Sequence, residues 1–304
     1  MKILKYSLIL VISLIISIIA FVLISQQMFD PNKLPLNYGK IDSQLFAKEG
    51  KNQPLLVYFG GSEGGNSMTK EHNIIERKMY TDKGYAMLAI GYFGMEGIPK
   101  ELDRISLNAI YEEIKRVQTN PKIDTTCVAV MGGSKGAELV LALASKYPDI
   151  NAVVSFAGSH VSFNSTSMAA DARTPSFNYN NLPLPYVTVP KKAIPYLLIG
   201  DLRRAHELAL EDTSAVEAAV IAVENINGPI LLLSGENDQV WPSAEMSVEV
   251  INRLKNKGFS YPYQHIMVPN GNHSQPQSDY HPQVIEFLDK NFKPTCDSSK
   301  AIFT

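Results

Sequence analysis

The chain is poor in cysteine and shows no concentration of charge. Its two cysteines, Cys127 and Cys296, are too few for a disulfide framework. Cys127 lies in an apolar run and is expected in the core, whereas Cys296 lies in a polar stretch that leaves its redox state open. The 28 basic residues nearly balance the 30 acidic ones, and no long run of one sign predicts a nucleic-acid surface. With 45% hydrophobic and 19% charged residues, the composition is typical of a globular protein.

The chain also lacks the glycine patterns that bind phosphate. The segment GGSEGG at residues 60–65 has neither a G-K-[ST] ending nor the G-x-G-x-x-G register. Its acidic residue, Glu63, would repel a phosphate group. We therefore expect no nucleotide cofactor at this loop, and no pattern in the chain indicates a metal ion or a redox cofactor.

A long hydrophobic segment, residues 1–29, stands at the amino terminus. It carries Lys2 and Lys5 and then no charged residue up to Phe29. About 20 apolar residues are enough to cross a bilayer, and the segment is apolar on every face, so a buried core helix is disfavoured. We favour an uncleaved membrane anchor, with a cleaved signal segment as the alternative. The two lysines favour a cytoplasmic amino terminus and an extracytoplasmic globular domain.

After a linker at residues 30–53, short apolar runs alternate with amphipathic stretches. This alternation predicts an α/β fold, with a mostly parallel sheet and helices on both faces. The domain is expected to span residues 54–294, followed by a tail at 295–304. The predicted strands are 54–59, 85–93, 127–131, 152–156, 229–235 and 265–269, and the main predicted helices are 102–117, the stretch after Ser134, 243–257 and a last helix from Pro282.

The alternation breaks at an insertion of about residues 162–208. Residues 164–195 are rich in Ser, Asn and Pro and show neither the helical nor the strand period. A structureless insertion of this length in a compact domain is usually a functional loop or a lid. Its basic pairs, Lys191–Lys192 and Arg203–Arg204, either meet an anionic head group or are simply solvated charges.

One five-residue pattern indicates a nucleophile. Residues 132–136 read GGSKG, which matches G-x-S-x-G, the pattern of a serine raised on a sharp strand-to-helix turn. By composition alone the pattern is weak evidence. Its context is stronger, because it follows the predicted strand at 127–131 and opens a helix, as the motif requires. We predict Ser134 as the nucleophile, with a purely structural turn as the alternative.

A serine hydroxyl is a poor nucleophile until a base takes its proton, and the base needs an acid to orient it. Of six histidines, His273 alone sits just after a predicted strand, in the polar turn PNGNHS. The segment SGENDQVW places Asp238 and Glu236 after the preceding strand. We predict Asp238 as the acid, because Gly235 and the two residues after it turn the chain back towards the sheet edge. Glu236 is expected to be a solvated loop residue.

An oxyanion needs hydrogen-bond donors that are already in place where the negative charge develops. One donor is expected to be the backbone N–H of Lys135, which follows the nucleophile. The other is expected from the glycine-rich loop after the first predicted strand. Either Gly61 or Ser62 would supply it, and the sequence does not choose between them.

These motifs together resemble the catalytic domain of acyl-CoA thioester hydrolases and bile acid-CoA:amino acid N-acyltransferases. MGGSKGAELVLALAS resembles the nucleophile segment of that family, AVIAVENINGPILLLSGENDQVWPS its acid segment, and NGNHS its histidine turn. The resemblance runs from about residue 55 to residue 292. It implies an α/β-hydrolase fold and the same triad of Ser134, Asp238 and His273. It also implies a preceding β-sandwich in the animal members, which we do not expect in the short segment between residues 29 and 54.

The leading hypothesis is a membrane-anchored serine hydrolase that cleaves an acyl thioester or a carboxylic ester. Family members that transfer acyl groups use a cysteine nucleophile, so Ser134 favours hydrolysis over transfer. The insertion at 162–208 would then set the size of the acyl group. The alternatives are an amide-directed hydrolase or peptidase, an acyltransferase, and a catalytically silent binding protein at the membrane. The expected partners are a small acyl substrate and the membrane, not a nucleic acid.

Overall fold

A seven-stranded sheet organises residues 2–298, the part of the chain that the computed structural model describes. Its strand order is β1-β3-β2-β5-β6-β9-β10. β1 pairs antiparallel with β3, and the other neighbours are parallel. β4, β7 and β8 form a second, small sheet. The strands are β1 Asp42–Phe46, β2 Gln53–Phe59, β3 Ala86–Gly91, β4 Ile105–Ser106, β5 Ile123–Gly133, β6 Ala152–Phe156, β7 Phe177–Tyr179, β8 Leu182–Pro183, β9 Ile230–Gly235 and β10 Tyr263–Val268.

Helices cover both faces of the main sheet and fill the segment between β6 and β9. Short 3-10 turns occur at Ser67–Thr69, Glu71–Asn73, Lys191–Ala193 and Val223–Asn225. The α-helices are α1 Lys2–Met28, α2 Ile74–Thr81, α3 Leu107–Gln118, α4 Lys135–Ala144, α5 Ile194–Leu198, α6 Leu202–Leu210, α7 Thr213–Ala219, α8 Ser243–Asn256, α9 Gln275–Ser278, α10 His281–Asn291 and α11 Lys293–Ser298.

Two hydrophobic cores lie on opposite faces of the main sheet. In β2, Leu55 and Val57 point into the core that α3, α4 and α8 complete. Leu56 and Tyr58 point into the other core, which is completed by α10 and by Cys296 of α11. Every residue of β2 is buried, because a strand between two covered faces has no solvent side. The predicted α/β class and the mostly parallel sheet are confirmed.

The predicted strands and main helices are present, with shifts at their ends. The helix expected from residue 102 begins at Leu107, because Ser106 caps it by accepting a hydrogen bond from the Ala109 N–H at 3.2 Å. The predicted bounds of the linker, residues 30–53, are wrong, because this stretch contains β1 and the first residue of β2. β1 was missed because DSQLF is a short, partly polar and half-buried edge strand.

The insertion between β6 and β9 is folded, contrary to the expectation of a structureless segment. Its chain is tied together by isolated bridges, Val161 with Val220 and Phe163 with Val187. Val161, Phe163 and Val187 pack with Trp241 in a third hydrophobic cluster. Elements of two to nine residues are too short to show a period in the sequence, so the periodicity test fails on them.

The apolar helix α1 lies outside the globular body, but its carboxyl end contacts it. Ile9–Met28 is long and apolar enough to cross a membrane, by length and composition only, and none of it is buried. The Gln26 side-chain amide donates to the Met168 carbonyl at 3.3 Å, and Arg173 donates to the Gln26 carbonyl at 2.6 Å. The Phe29 ring centroid lies 5.3 Å from the guanidinium carbons of both Arg104 and Arg173. The insertion therefore holds the end of α1.

A disulfide joins Cys127 of β5 to Cys296 of α11, with 5.5 Å between the two Cα atoms. Cys127 is buried in the core, as expected, and Cys296 is only 2% exposed. The expected tail at 295–304 therefore begins inside the domain, because residue 296 belongs to a helix packed on the sheet. Residues 299–304 of that tail lie outside the described residues.

Loss of this disulfide is expected to destabilise the protein. It closes a loop of 169 residues, and removal of such a crosslink typically costs about 2–5 kcal/mol. Cys296→Ala should lower the midpoint of thermal unfolding, measured by circular dichroism, and a reductant should lower that of the wild type by a similar amount. The reductant should not shift the variant further. A wild-type midpoint that is insensitive to complete reduction would contradict this expectation.

Candidate active site

Ser134 occupies the sharp turn between β5 and α4. Its backbone dihedrals are φ 54° and ψ −119°, a sparsely populated region for a residue with a side chain. The Ser134 N–H donates to the Phe156 carbonyl of the neighbouring β6 at 2.8 Å, which holds the turn against the sheet. A strained backbone of this kind persists only where the surroundings enforce it, and it concentrates at functional sites.

Two glycines of the pattern make this turn sterically possible. A Cβ at Gly132 would lie 2.5 Å from the Gly136 carbonyl oxygen, and one at Gly136 would lie 2.4 Å from the Gly60 carbonyl oxygen. Neither position can hold a side chain unless the backbone moves. The spacing of the motif therefore follows from the close approach of β5, α4 and the loop after β2.

Asp238 and His273 form a hydrogen-bonded pair. His273 Nδ1 lies 2.8 Å from Asp238 Oδ2. Oδ2 also accepts from the Ser243 hydroxyl at 2.6 Å, and Oδ1 accepts from the Val240 N–H at 2.8 Å. Burial alone would raise the pKa of Asp238, but the hydrogen bonds and charge of His273 and the bonds from Ser243 and Val240 lower it. The carboxylate is therefore held ionised against His273 Nδ1.

Glu236 lies elsewhere and has a different contact. Its Oε2 accepts from the Asn270 N–H at 2.7 Å, so it braces the turn that carries His273. Glu236 is exposed, as expected of a solvated loop residue. Sequence analysis missed Ser243, which the GENDQVWPS segment contains, because nothing in the sequence shows that its hydroxyl points back to Asp238.

The structure brings some of the predicted site residues together and leaves one link open. β5, β9 and β10 run parallel, so Ser134, Asp238 and His273 follow strands at the same edge of the sheet. Among the described residues, Asp238 contacts His273, whereas the Ser134 hydroxyl makes no hydrogen bond to the imidazole. Catalytic hydrogen bonds of this type are often long without substrate and tighten when it binds.

The loop after β2 lies against Ser134. A Cβ at Gly61 would lie 3.0 Å from the Ser134 Cβ, so a side chain there would be tightly packed and the glycine lets the loop lie this close. The Gly61 N–H donates to Glu63 Oε1 at 2.9 Å, while Ser62 is exposed. Sequence analysis missed this contact of Glu63. A negatively charged oxygen thus occupies one of the donors expected to bind the oxyanion.

The Lys135 side chain, which sequence analysis did not consider, is buried next to Ser134 in the chain. Its ammonium group lies 2.8 Å from Glu138 Oε2 and 2.9 Å from the Ser176 hydroxyl of the insertion. Glu138 Oε1 accepts from the Phe163 N–H at 3.0 Å. Burial lowers the pKa of Lys135 and raises that of Glu138, in each case against the attraction of the partner's charge. This ion pair ties the first turn of α4 to the insertion.

The described residues offer no metal site: no three His, Cys, Asp or Glu side chains among them are grouped so that they could hold an ion. The half-buried His160 has a pKa lowered to about 4 by desolvation, and its Nδ1 has no partner among these residues. His281 lies 2.7 Å from the Tyr80 hydroxyl, in the core on the other face of the sheet.

The fold is that of the α/β hydrolases. Acylaminoacyl peptidase from Pyrococcus horikoshii superposes with a TM-score of 0.58 at 17% identity, covering 87% of this chain and 41% of that one. The ferulic acid complex of Est1E from Butyrivibrio proteoclasticus superposes with a TM-score of 0.51 at 16% identity, covering 82% and 94%. At these identities the likeness concerns the fold.

The chain belongs to the BAAT / Acyl-CoA thioester hydrolase C terminal family, whose model matches residues 105–293. Peroxisomal succinyl-coenzyme A thioesterase of Mus musculus is 26% identical over 270 residues, covering 88% of this chain and 56% of that protein. Acyl-coenzyme A thioesterase 1 of Homo sapiens is 25% identical over 270 residues, covering 87% and 56%. The chain thus spans about half the length of these relatives. The expected family resemblance is confirmed.

Breaking the buried ion pair from one side is expected to destabilise the domain strongly. Lys135→Met leaves the Glu138 carboxyl buried without its counter-ion, which costs about 3–5 kcal/mol. The double variant Lys135→Met/Glu138→Leu removes both charges and should be clearly more stable than Lys135→Met alone. Urea unfolding of the two variants and the wild type measures the difference. Equal stability of the single and double variants would show that the two charges do not depend on each other.

Removal of the Glu63 carboxylate is expected to raise the turnover rate. With the Gly61 N–H as the predicted oxyanion donor, the carboxylate would compete with the developing oxyanion for it, and loss of one such competing hydrogen bond at an exposed side chain should raise kcat about threefold. Glu63→Ala should show the full increase and Glu63→Gln a smaller one, in assays with a small activated ester. Glu96→Gln, an exposed glutamate of another loop, is the control. A fall in kcat on Glu63→Ala would mean that the carboxylate assists the reaction instead.

Proposed function

We propose that the protein is a serine hydrolase that cleaves acyl thioesters or carboxylic esters through an acyl-enzyme. The observation that carries the proposal is the strained backbone of Ser134, which has a φ of 54° at the turn between a buried strand and a helix. A structural turn would not need a serine with a strained backbone at this position. The hydrogen-bonded pair of Asp238 and His273 at the same sheet edge supports the same chemistry.

In the proposed reaction, Ser134 Oγ attacks the acyl carbonyl carbon and its proton passes to His273 Nε2. Asp238 holds the imidazole through Nδ1 and stabilises the imidazolium that forms. The oxyanion binds the N–H of Lys135 and the N–H of Gly61 once Glu63 has moved aside. The tetrahedral intermediate collapses as His273 protonates the leaving thiolate or alkoxide. Water, activated by the same histidine, then attacks the acyl-enzyme and releases the carboxylic acid.

Membership of the thioester hydrolase family favours an acyl thioester or ester over an amide as the substrate. A serine acyl-enzyme is normally resolved by water, so Ser134 favours hydrolysis over acyl transfer to an amine. The Lys135 N–H is one of the first helical N–H groups of α4, which have no partner within the helix. It is therefore available as a donor for the oxyanion.

We further propose that α1 anchors the enzyme in a membrane with the catalytic domain outside the cytoplasm. Lys2 and Lys5 precede a helix long enough to span a bilayer, and lysines of this kind favour the cytoplasmic side. The disulfide between Cys127 and Cys296 supports the same orientation. Such bonds persist in extracytoplasmic compartments and are rare in the cytosol.

Ser134→Ala is expected to abolish labelling by a fluorophosphonate probe and to lower kcat by at least about 10⁴-fold, because the attacking oxygen is lost. Ser260→Ala, at an exposed serine before β10, should label like the wild type. Labelling is read after gel electrophoresis, and kcat with one acyl chain presented as a coenzyme A thioester, a simple ester and an anilide. Labelling that survives in Ser134→Ala would refute the assignment, and a preference for the anilide would favour an amide hydrolase.

A further inference from the structure

The insertion exposes a continuous apolar surface at α5. The side chains of Ile194 and Leu197 are 48% and 41% exposed, and those of Leu198 and Ile199 are 81% and 77% exposed. Leu202, at the start of α6, is 37% exposed. We call these five residues the α5 patch. Soluble proteins rarely leave large apolar side chains grouped in this way, and such groups mark interaction surfaces.

The packing of α5 does not account for the α5 patch. Its inner side rests on a small cluster of Ala193, Ala205 and Leu208, with the half-buried Tyr196 beside it. The large aliphatic side chains of α5 itself point outwards, whereas the inner cluster holds two alanines and only one leucine, Leu208. This is the reverse of the arrangement that burial in a domain core favours.

We propose that the α5 patch lies in the surface of the bilayer that holds α1, so that acyl chains reach the candidate site from the membrane. The inference rests on the proposed anchoring and hydrolase function. Its substrates are therefore acyl lipids that partition into the bilayer. A short apolar helix with lysines at its edge is suited to this interface, and Lys191 and Lys192 directly precede α5.

The contacts of α1 place the membrane next to the insertion. The Gln26 amide donates to the carbonyl of Met168, whose side chain is 67% exposed. Leu34, after α1, lines the same cleft of about 360 Å³ as Tyr186 of the insertion. Eight residues lead from Tyr186 to Ile194, the first residue of the α5 patch, which limits the separation of their Cα atoms to roughly 29 Å. The α5 patch thus belongs to the same folded segment that contacts the end of α1.

The α5 patch is also directly connected to the candidate site. Gly200, with φ 79°, turns the chain from α5 into α6. Arg203 of α6 donates to the Asp238 carbonyl at 3.0 Å, and the Nδ1–H of His206 donates to the Val240 carbonyl at 3.0 Å. One short helix therefore separates the outward apolar side chains from the loop that carries the acid.

Depth-dependent quenching tests the inference on the full chain in vesicles. The cysteines of the described residues are paired in the disulfide, so a new cysteine can carry a fluorophore. Ile199→Cys is compared with Ile75→Cys, because their native side chains are 77% and 76% exposed and Ile75 lies on α2. Nitroxide quenchers in the lipid should quench the fluorophore at 199 at least about threefold more than the one at 75, as expected for a side chain below the headgroups.

A kinetic test uses Leu198→Ser, with Ile75→Ser as its control. Loss of one exposed leucine from the interface should lower kcat/KM for a long-chain ester embedded in vesicles by about fivefold. Hydrolysis of a soluble short-chain ester, and fluorophosphonate labelling of Ser134, should stay within about twofold of the wild type. These two measurements report on the hydrolase chemistry alone, because neither substrate nor probe has to come from the membrane.

The possible outcomes distinguish a failure of this inference from a failure of the proposed anchor or of the proposed hydrolase function. Equal quenching at 199 and 75 in a chain that floats with vesicles would overturn the inference and leave the anchor intact. A chain that does not float would overturn both, whereas labelling of Ser134 would still support the hydrolase. Crosslinks between two chains through Ile199→Cys, without quenching by lipid, would make the α5 patch an interface between copies and overturn the membrane contact.

Discussion

The close approach of β5, α4 and the loop after β2 is the constraint on which the candidate site depends. Gly132 and Gly136 have no room for a side chain, because carbonyl oxygens occupy the space where a Cβ would lie. This contact forces Ser134 into its strained backbone and brings Gly61 next to it. The proposed nucleophile and the proposed oxyanion donors are thus fixed by backbone packing, which side-chain motion does not relax.

Much of the fold could be predicted from the sequence, because a parallel sheet with two covered faces leaves continuous apolar runs such as LLVYF. The proposed triad could be predicted too, since each member follows such a run in the order that the fold requires. β1 and the small elements of the insertion could not. The first is a half-polar edge strand, and the others are too short for either period to appear.

What the sequence could not show are contacts between residues far apart in the chain. The disulfide joins residues separated by 169 positions. The polar residues that follow Cys296 in the chain gave no indication that Cys296 is buried. Nothing in the sequence indicates that the Lys135 ammonium group contacts Ser176 of the insertion. The contact of the Glu63 carboxylate with the Gly61 N–H depends on the direction in which the Glu63 side chain points within its loop. Such directions are set by tertiary packing and leave no periodic signal.

The insertion connects the end of α1 with the candidate site. Asp103 and Arg104, both buried, form an ion pair of 2.8 Å, and Asp103 also accepts from the Thr174 hydroxyl at 2.6 Å. Arg104 then faces Phe29 at the end of α1. The same insertion holds the Lys135 ammonium at one side of the candidate site and, through Arg203, the Asp238 loop at the other. In the proposed anchoring, a change in how α1 sits in the membrane would act on the same folded segment that contacts the Lys135 ammonium and the Asp238 loop, which would couple anchoring to the candidate site.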